Sequence, residues 1–267
     1  MFELNSSWVF FEVSGHKYGL QTKFVREMIV MGKVTKLASA QPFVRGLVQM
    51  REQVLTAIDL RALLGLRGLH VETEELIANF GQRKQDHINW LTELRASVAE
   101  NREFKLTTDP HKCAFGKWYD SYQASDPVLS VMLAKFDRPH QRIHSIGVEA
   151  RRLVAEGRSD EALALIDRTW HVDLAVMVNL FDQTAPMFWS LIKEVVVVLA
   201  QGTNQIGVVV DAVTEVGELD PRHIEPLTAN SLAGSGRDLF LGVAKVRNSL
   251  ALMFDGEKLF AKVAAAA

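Results

Sequence analysis

The spacing of apolar residues changes character twice along this chain, and that change restricts the fold more than any single motif does. From Trp8 to about Leu60 the apolar groups are short, as in Trp8-Val9-Phe10-Phe11 and Leu47-Val48. Gly15, Gly19 and Pro42 punctuate them, which predicts β structure. From Val71 to about Phe188 the residues Leu76, Phe80, His87, Trp90, Leu94 and Val98 recur at spacings of three, four or seven, which predicts helices. After Pro186 the β-branched runs Val195-Val196-Val197-Val198 and Ile206-Gly207-Val208-Val209-Val210 return. Gly202, Asp220-Pro221 and Gly234-Ser235-Gly236 mark turns between them.

The order is therefore β, α, β. Residues 1–70 and 189–267 are each too short to bury a well-covered β core, but together they have the size of an ordinary all-β domain. The expected architecture is α+β and multidomain: one β domain in two halves, 1–70 and 189–267, with a helical domain at 71–188 inserted at an exposed loop. Within the insertion a first helix is expected from Thr73 to Glu100, and a short second one from Asp109-Pro110. A third starts at Asp126-Pro127, is kinked or restarted at Pro139 and ends near Gly157. Ser159 is expected to cap a fourth, whose stripe of Leu163, Ile166, Trp170, Leu174, Met177 and Phe181 would complete a four-helix bundle.

Charge argues against several function classes. The net charge is −2 with 23% charged residues, so no overall field favours nucleic acid or an anionic membrane. The most apolar run, Val195 to Ala200, meets Gln201 and Gly202 well before the roughly 20 residues of a membrane helix. Met1-Phe2-Glu3-Leu4 has no basic or apolar signal character, and a single cysteine forms no intrachain disulfide. The expectation is a cytoplasmic protein.

The chemistry lies in the helical segment. His140 and His144 are four residues apart, so both side chains leave one helix face and can reach one metal ion. His87 sits in the apolar stripe of the first helix and Cys113 near the start of the second, and this donor set suits zinc. Spacing alone leaves open the plainer reading, in which His87 is a hydrogen-bonded core residue and Cys113 a small hydrophobe.

The local sequences His87-Ile88-Asn89-Trp90, Cys113-Ala114-Phe115-Gly116-Lys117-Trp118-Tyr119 and Pro139-His140-Gln141-Arg142-Ile143-His144 resemble the pattern of the chemoreceptor zinc-binding (CZB) family. The resemblance implies a four-helix bundle in which His87, Cys113, His140 and His144 bind one zinc ion per chain. His111 and His171 fall outside it. The β halves are similar to the CheW coupling proteins of bacterial chemotaxis. Phe24-Val25-Arg26-Glu27-Met28-Ile29, Pro42-Phe43-Val44-Arg45-Gly46-Leu47-Val48 and Ala57-Ile58-Asp59-Leu60 follow that family's first half. Ile206 to Val216 and Ile224-Glu225-Pro226 follow its second. This resemblance implies two intertwined five-stranded barrels, a salt bridge between Glu27 and Arg51, and a scaffold joining a chemoreceptor signalling tip to a CheA-type histidine kinase. The family pattern Asn-Leu-Arg-Gly stands here as Gln49-Met50-Arg51-Glu52, so a turn that relied on glycine must change.

Three functions remain after this reading: an adaptor whose zinc domain senses zinc or oxidants such as hypochlorous acid through Cys113, a scaffold with a purely structural zinc, and a zinc metalloenzyme. Four protein ligands argue against the last, because catalytic zinc keeps an open position. No Gly-x-Ser-x-Gly, phosphate-loop or His-Glu-x-x-His motif appears. Acid is expected to expel zinc from about pH 6, where ordinary histidines protonate. Whether the helical bundle also pairs with a second copy of the chain is left open.

Overall fold

The structure is a computed structural model, and it describes residues 6–227 and 236–266. The expected turn at Gly234-Ser235 lies outside the described residues. Eleven strands are described: β1 (Ser6–Val13), β2 (His16–Gln21), β3 (Val25–Val30), β4 (Val34–Thr35), β5 (Val44–Met50), β6 (Gln53–Asp59), β7 (Val195–Gln201), β8 (Asn204–Val210), β9 (Ala212–Leu219), β10 (Phe240–Val246) and β11 (Ser249–Phe254). Eight α-helices accompany them: α1 (Leu60–Leu63), α2 (Leu69–Ala99), α3 (Ala114–Ser121), α4 (Pro127–Ala134), α5 (Asp137–Ala155), α6 (Ser159–Thr169), α7 (Ala175–Ser190) and α8 (Gly256–Ala264). The chain divides into a β unit, Met1–Val71 with Lys193–Ala267, and a helical unit, Glu72–Ile192.

Both halves of the chain build each sheet of the β unit. Its strands form a five-stranded sheet in the order β10-β11-β2-β1-β9 and a six-stranded sheet in the order β3-β7-β8-β6-β5-β4, so each sheet takes strands from both sides of the insertion. The runs of consecutive apolar residues are strands buried on both faces. In β1, Val9, Phe11 and Val13 enter a core that also receives Val197 and Leu199 of β7, while Trp8 and Phe10 point the other way into a core of the first sheet alone. Likewise Val196 and Val198 of β7 fill a core of the second sheet alone. A strand alternates its side chains, so only two apolar environments can use such a run in full.

The sixth strand departs from the expected pair of five-stranded barrels. Strand β4 is only two residues long and pairs with β5 through Val34↔Val48 and Thr35↔Leu47. That approach depends on Gly46, where φ is +136° and a Cβ would lie 2.3 Å from the Thr35 carbonyl oxygen. At the β5–β6 hairpin, Met50 pairs with Gln53, leaving Arg51-Glu52 as the loop, and Arg51 takes the left-handed φ of +52°. The glycine-free turn thus places its strained residue at the arginine.

The helical unit has its own core, centred on Phe80, Trp90, Leu91, Leu94, Phe115, Phe136, Ile143, Met177 and Phe181. Two helix starts differ from expectation. The second helix begins at Ala114, not at Asp109-Pro110, because Cys113 is its N-cap. Asp109 instead closes a local turn by accepting the His111 N–H at 3.0 Å. Ser159 is the first residue of α6, not its cap: Arg158 holds the cap position without a side-chain cap bond. The third helix is broken as α4 and α5, with Asp126 accepting the Leu129 N–H and Pro139 in the first turn of α5, where its missing N–H costs nothing. The fourth runs as α6, a π-helical turn at Trp170–Leu174 and α7.

Candidate metal centre

Helices α2, α3 and α5 bring His87, Cys113, His140 and His144 together, with one donor atom from each within 4.8 Å of the others. The Cys113 sulfur lies 4.0 Å from His87 Nε2 and 3.2 Å from His140 Nε2. The ring centroids of His140 and His144, one turn apart on α5, are separated by 4.9 Å, and His87 lies 5.1 and 5.6 Å from them.

Each donor is aimed by the local fold. His87 Nδ1 is 2.7 Å from the Arg83 carbonyl oxygen. A carbonyl only accepts, so Nδ1 carries the proton and Nε2 keeps its lone pair for the centre. Cys113 is held because its sulfur accepts the Gly116 N–H at 3.1 Å, the capping bond of α3. Gly116 is required there, since a Cβ would stand 1.8 Å from the Pro110 carbonyl oxygen, and this explains the Cys-x-x-Gly spacing. Trp90 lies 4.9 Å from the His144 ring, and its indole N–H donates to the Thr107 carbonyl at 2.8 Å. Gly147 makes room for that indole: a Cβ would come within 2.9 Å of it. The Arg83 carbonyl and Gly147 carry no signal in the bare sequence. Gly116 does, as part of the motif.

The donor set fits a soft or borderline cation. His87, His140 and His144 are 3, 4 and 0% exposed. Both ring nitrogens of His144 are buried without a close hydrogen bond among the described residues, although the Thr107 carbonyl faces the ring closely enough to favour its protonated form. Burial, then the neighbouring histidines, pushes His140 down to about 3, and burial followed by His87 pushes His144 down to about 4. The imidazoles are therefore neutral, the form that ligates. Burial pushes the Cys113 thiol up, so its thiolate needs a nearby cation. His111 is exposed and pairs with Asp120 at 2.9 Å. His171 lies on the π-helical turn, outside the cluster.

In the β unit, Arg51 Nη2 reaches Glu27 Oε2 at 3.2 Å, with the arginine 81% exposed. Among the described residues no helix is long and apolar enough to cross a membrane.

The family model described as "CheW-like domain" matches residues 7–84 and 169–264, and "Chemoreceptor zinc-binding domain" matches 87–151. The CheW-like match extends beyond the β unit, into α2 on one side and across α7 and the π-helical turn to the end of α6 on the other. A curated relative, chemotaxis protein CheW of Klebsiella aerogenes, is 27% identical over 82 residues, covering 30% of this chain. The chain spans about half the length of that relative, 49%. The solved structure of scaffolding protein TtCheW from Thermoanaerobacter tengcongensis is 12% identical and has a TM-score of 0.43, covering 95% of this chain and 86% of that one. With two discontinuous stretches matched over more than half of its length, the chain belongs to the CheW-like family and carries a chemoreceptor zinc-binding domain inserted within the CheW-like domain.

Proposed function

We propose that this chain is a non-catalytic adaptor, cytoplasmic and stationed at chemoreceptor arrays, that links a receptor signalling tip to a CheA-type histidine kinase. In this reading the inserted domain binds one zinc ion through His87, Cys113, His140 and His144 and senses zinc or oxidants. The observation that carries it is the convergence of three buried neutral imidazoles on one cysteine. When bound, zinc supplies the positive charge that keeps Cys113 as thiolate.

The chain's own residues supply the rest. Arg83 fixes the His87 tautomer, Gly116 fixes the sulfur, and Trp90 packs beside His144. Hypochlorous acid takes two electrons from the Cys113 thiolate, giving the sulfenic acid and chloride, and the sulfenic acid is a poorer ligand. Because the sulfur also caps α3, its oxidation weakens that helix start directly.

The test is metal content of the purified protein before and after graded hypochlorous acid, with oligomeric state recorded alongside. One zinc per chain, released in wild type and not in the same way from Cys113→Ser, supports the reading. A full zinc equivalent in both His140→Ala and His144→Ala refutes the ligand set. Zinc that withstands oxidant leaves a structural metal.

A further inference from the structure

The β unit contains a second meeting of donor atoms. Asp59 ends β6, His70 lies in the first turn of α2, and Glu194 immediately precedes β7. His70 and Glu194 therefore stand beside the two points where the chain leaves and re-enters the β unit, at Val71 and Lys193. One donor atom of each residue lies within 4.8 Å of the other two. Among the described residues only this trio and the His/Cys cluster form such groups.

These are costly residues to bury without a purpose. Asp59 is 3% exposed and Glu194 5%. Asp59 Oδ1 accepts the Ala62 N–H at 3.1 Å, capping α1. Among the described residues its Oδ2 makes no hydrogen bond, and it lies 3.4 Å from His70 Nδ1, which makes none either. Both atoms face a space kept open by Gly68: a Cβ there would stand 2.4 Å from Asp59 Oδ2 and 2.8 Å from His70 Nδ1. Arg45 Nη2 is 3.7 Å from Glu194 Oε2, and Arg61 Nη2 binds Asp211 at 2.6 Å. Three carboxylates, those of Asp59, Glu194 and Asp211, stand here against two guanidiniums, those of Arg45 and Arg61. Burial pushes the carboxyls of Asp59 and Glu194 up despite Arg45, so the neighbouring cations do not fully offset the cost of burying them.

We propose that Asp59, His70 and Glu194 form a second divalent-cation site, separate from the His/Cys cluster and suited to a first-row ion such as zinc or manganese. Two carboxylates and one imidazole favour that class over both the softest ions and calcium. The ligands come from the end of β6, the start of α2 and the lead-in to β7. A bound ion thus ties the outgoing and returning segments of the insertion together within the β unit. Asp255 provides an internal contrast: it also ends a strand pair and caps a helix, α8, but its neighbour is Lys258 at 3.4 Å.

The experiment titrates metal-stripped full-length protein with zinc and, separately, with manganese. Bound metal is counted per chain, and the electron paramagnetic resonance signal of free manganese is followed. Wild type should hold two zinc ions and one manganese. His144→Ala should keep one zinc and the manganese, which separates this site from the first. His70→Gln and Glu194→Gln should lose the manganese and the second zinc, each weakening that equivalent by more than the roughly 10–100-fold that loss of an outer-shell partner costs. Gly68→Ala should do the same with all three ligands in place. Circular dichroism without metal establishes that each variant folds, and His70→Gln, altering a partly exposed side chain, decides if Glu194→Gln does not. A single zinc on saturated wild type, or a manganese signal in His70→Gln equal to that of wild type, overturns the site.

Discussion

In the first sheet β10 pairs antiparallel with β11, β11 parallel with β2, β2 antiparallel with β1 and β1 with β9; in the second, β5, β6, β8, β7 and β3 follow the same sequence of pairings. Matched positions repeat as well. Gly46 and Gly242 each stand where a Cβ would strike a carbonyl oxygen, at 2.3 and 2.2 Å. Asp59 and Asp255 each cap the helix after the second hairpin strand. Arg51 and Arg247 each open a hairpin with a left-handed φ, +52° and +53°, and each pairs with a glutamate. What differs is the attachment: the insertion lies between β6 and β7, both of which belong to the second sheet. Shared topology thus comes from apolar alternation and turn geometry, whereas the second sheet alone carries the links through which the helical unit can act on it.

Loss of the proposed zinc should produce the largest asymmetry. A structural site of this ligand class is worth on the order of 10 kcal/mol at neutral pH, so His144→Ala should loosen the helical unit first. Hydrogen exchange should then rise in α2 and α5, next in β6 and β7, and least in β1 and β11. Equal exchange in both sheets would break the comparison.

Acid should act on the same side. The buried His140 and His144 stay neutral down to about 3 and about 4, but in an unfolded chain both protonate near 6.5. Between those values the unfolded state binds more protons. Stability of the metal-free helical unit is therefore full above about pH 6.5 and falls as pH drops through this window. Zinc release should likewise begin below the pH of about 6 expected from ordinary histidines, since the ligands resist protonation. Thermal melts from pH 7 to pH 4, with and without zinc, check both. A release midpoint at pH 6 would show that burial does not protect the rings.

The matched glycines give a smaller, sharper test. Gly46→Ala and Gly242→Ala both drive a methyl into a carbonyl, but only Gly46 also has a φ, +136°, that L residues rarely adopt. Gly46→Ala should therefore cost about 1–3 kcal/mol more than Gly242→Ala in urea denaturation. Equal costs would place the whole penalty in the close approach.

Much of this architecture was legible in the sequence, because it depends on local signals. The β, α, β order followed from apolar spacing, and Asp126-Pro127 marked a helix start correctly. What escaped has specific causes. A cysteine cap at Cys113 does not belong to the usual Ser, Thr, Asp and Asn set, so the start of α3 was expected too early. At α6, Gly157 ends the preceding helix at φ +73°, which leaves Arg158 alone in the cap position. The meeting of Asp59, His70 and Glu194 had no signal at all, since it depends on two chain segments on opposite sides of the insertion.

The smallest expected effect concerns the two hairpin arginines. Replacing either by glycine relieves a left-handed residue, worth about 1 kcal/mol, and removes an exposed ion pair worth about 0–1 kcal/mol. Glu215 keeps Lys17 at 3.2 Å after Arg247→Gly, whereas Arg51 is the partner described for Glu27. Arg247→Gly should therefore stabilise the protein slightly more than Arg51→Gly, a difference of a few tenths of a kcal/mol readable as a small shift in the urea midpoint. Binding should separate the two in the other direction. If Glu27 and Arg51 shape the partner surface, Arg51→Gly should lower capture by a CheA regulatory domain or a receptor tip, mostly through slower association, while Arg247→Gly should not. Equal capture by both variants would remove Arg51 from the interface and leave its pairing with Glu27 as a feature of the turn alone.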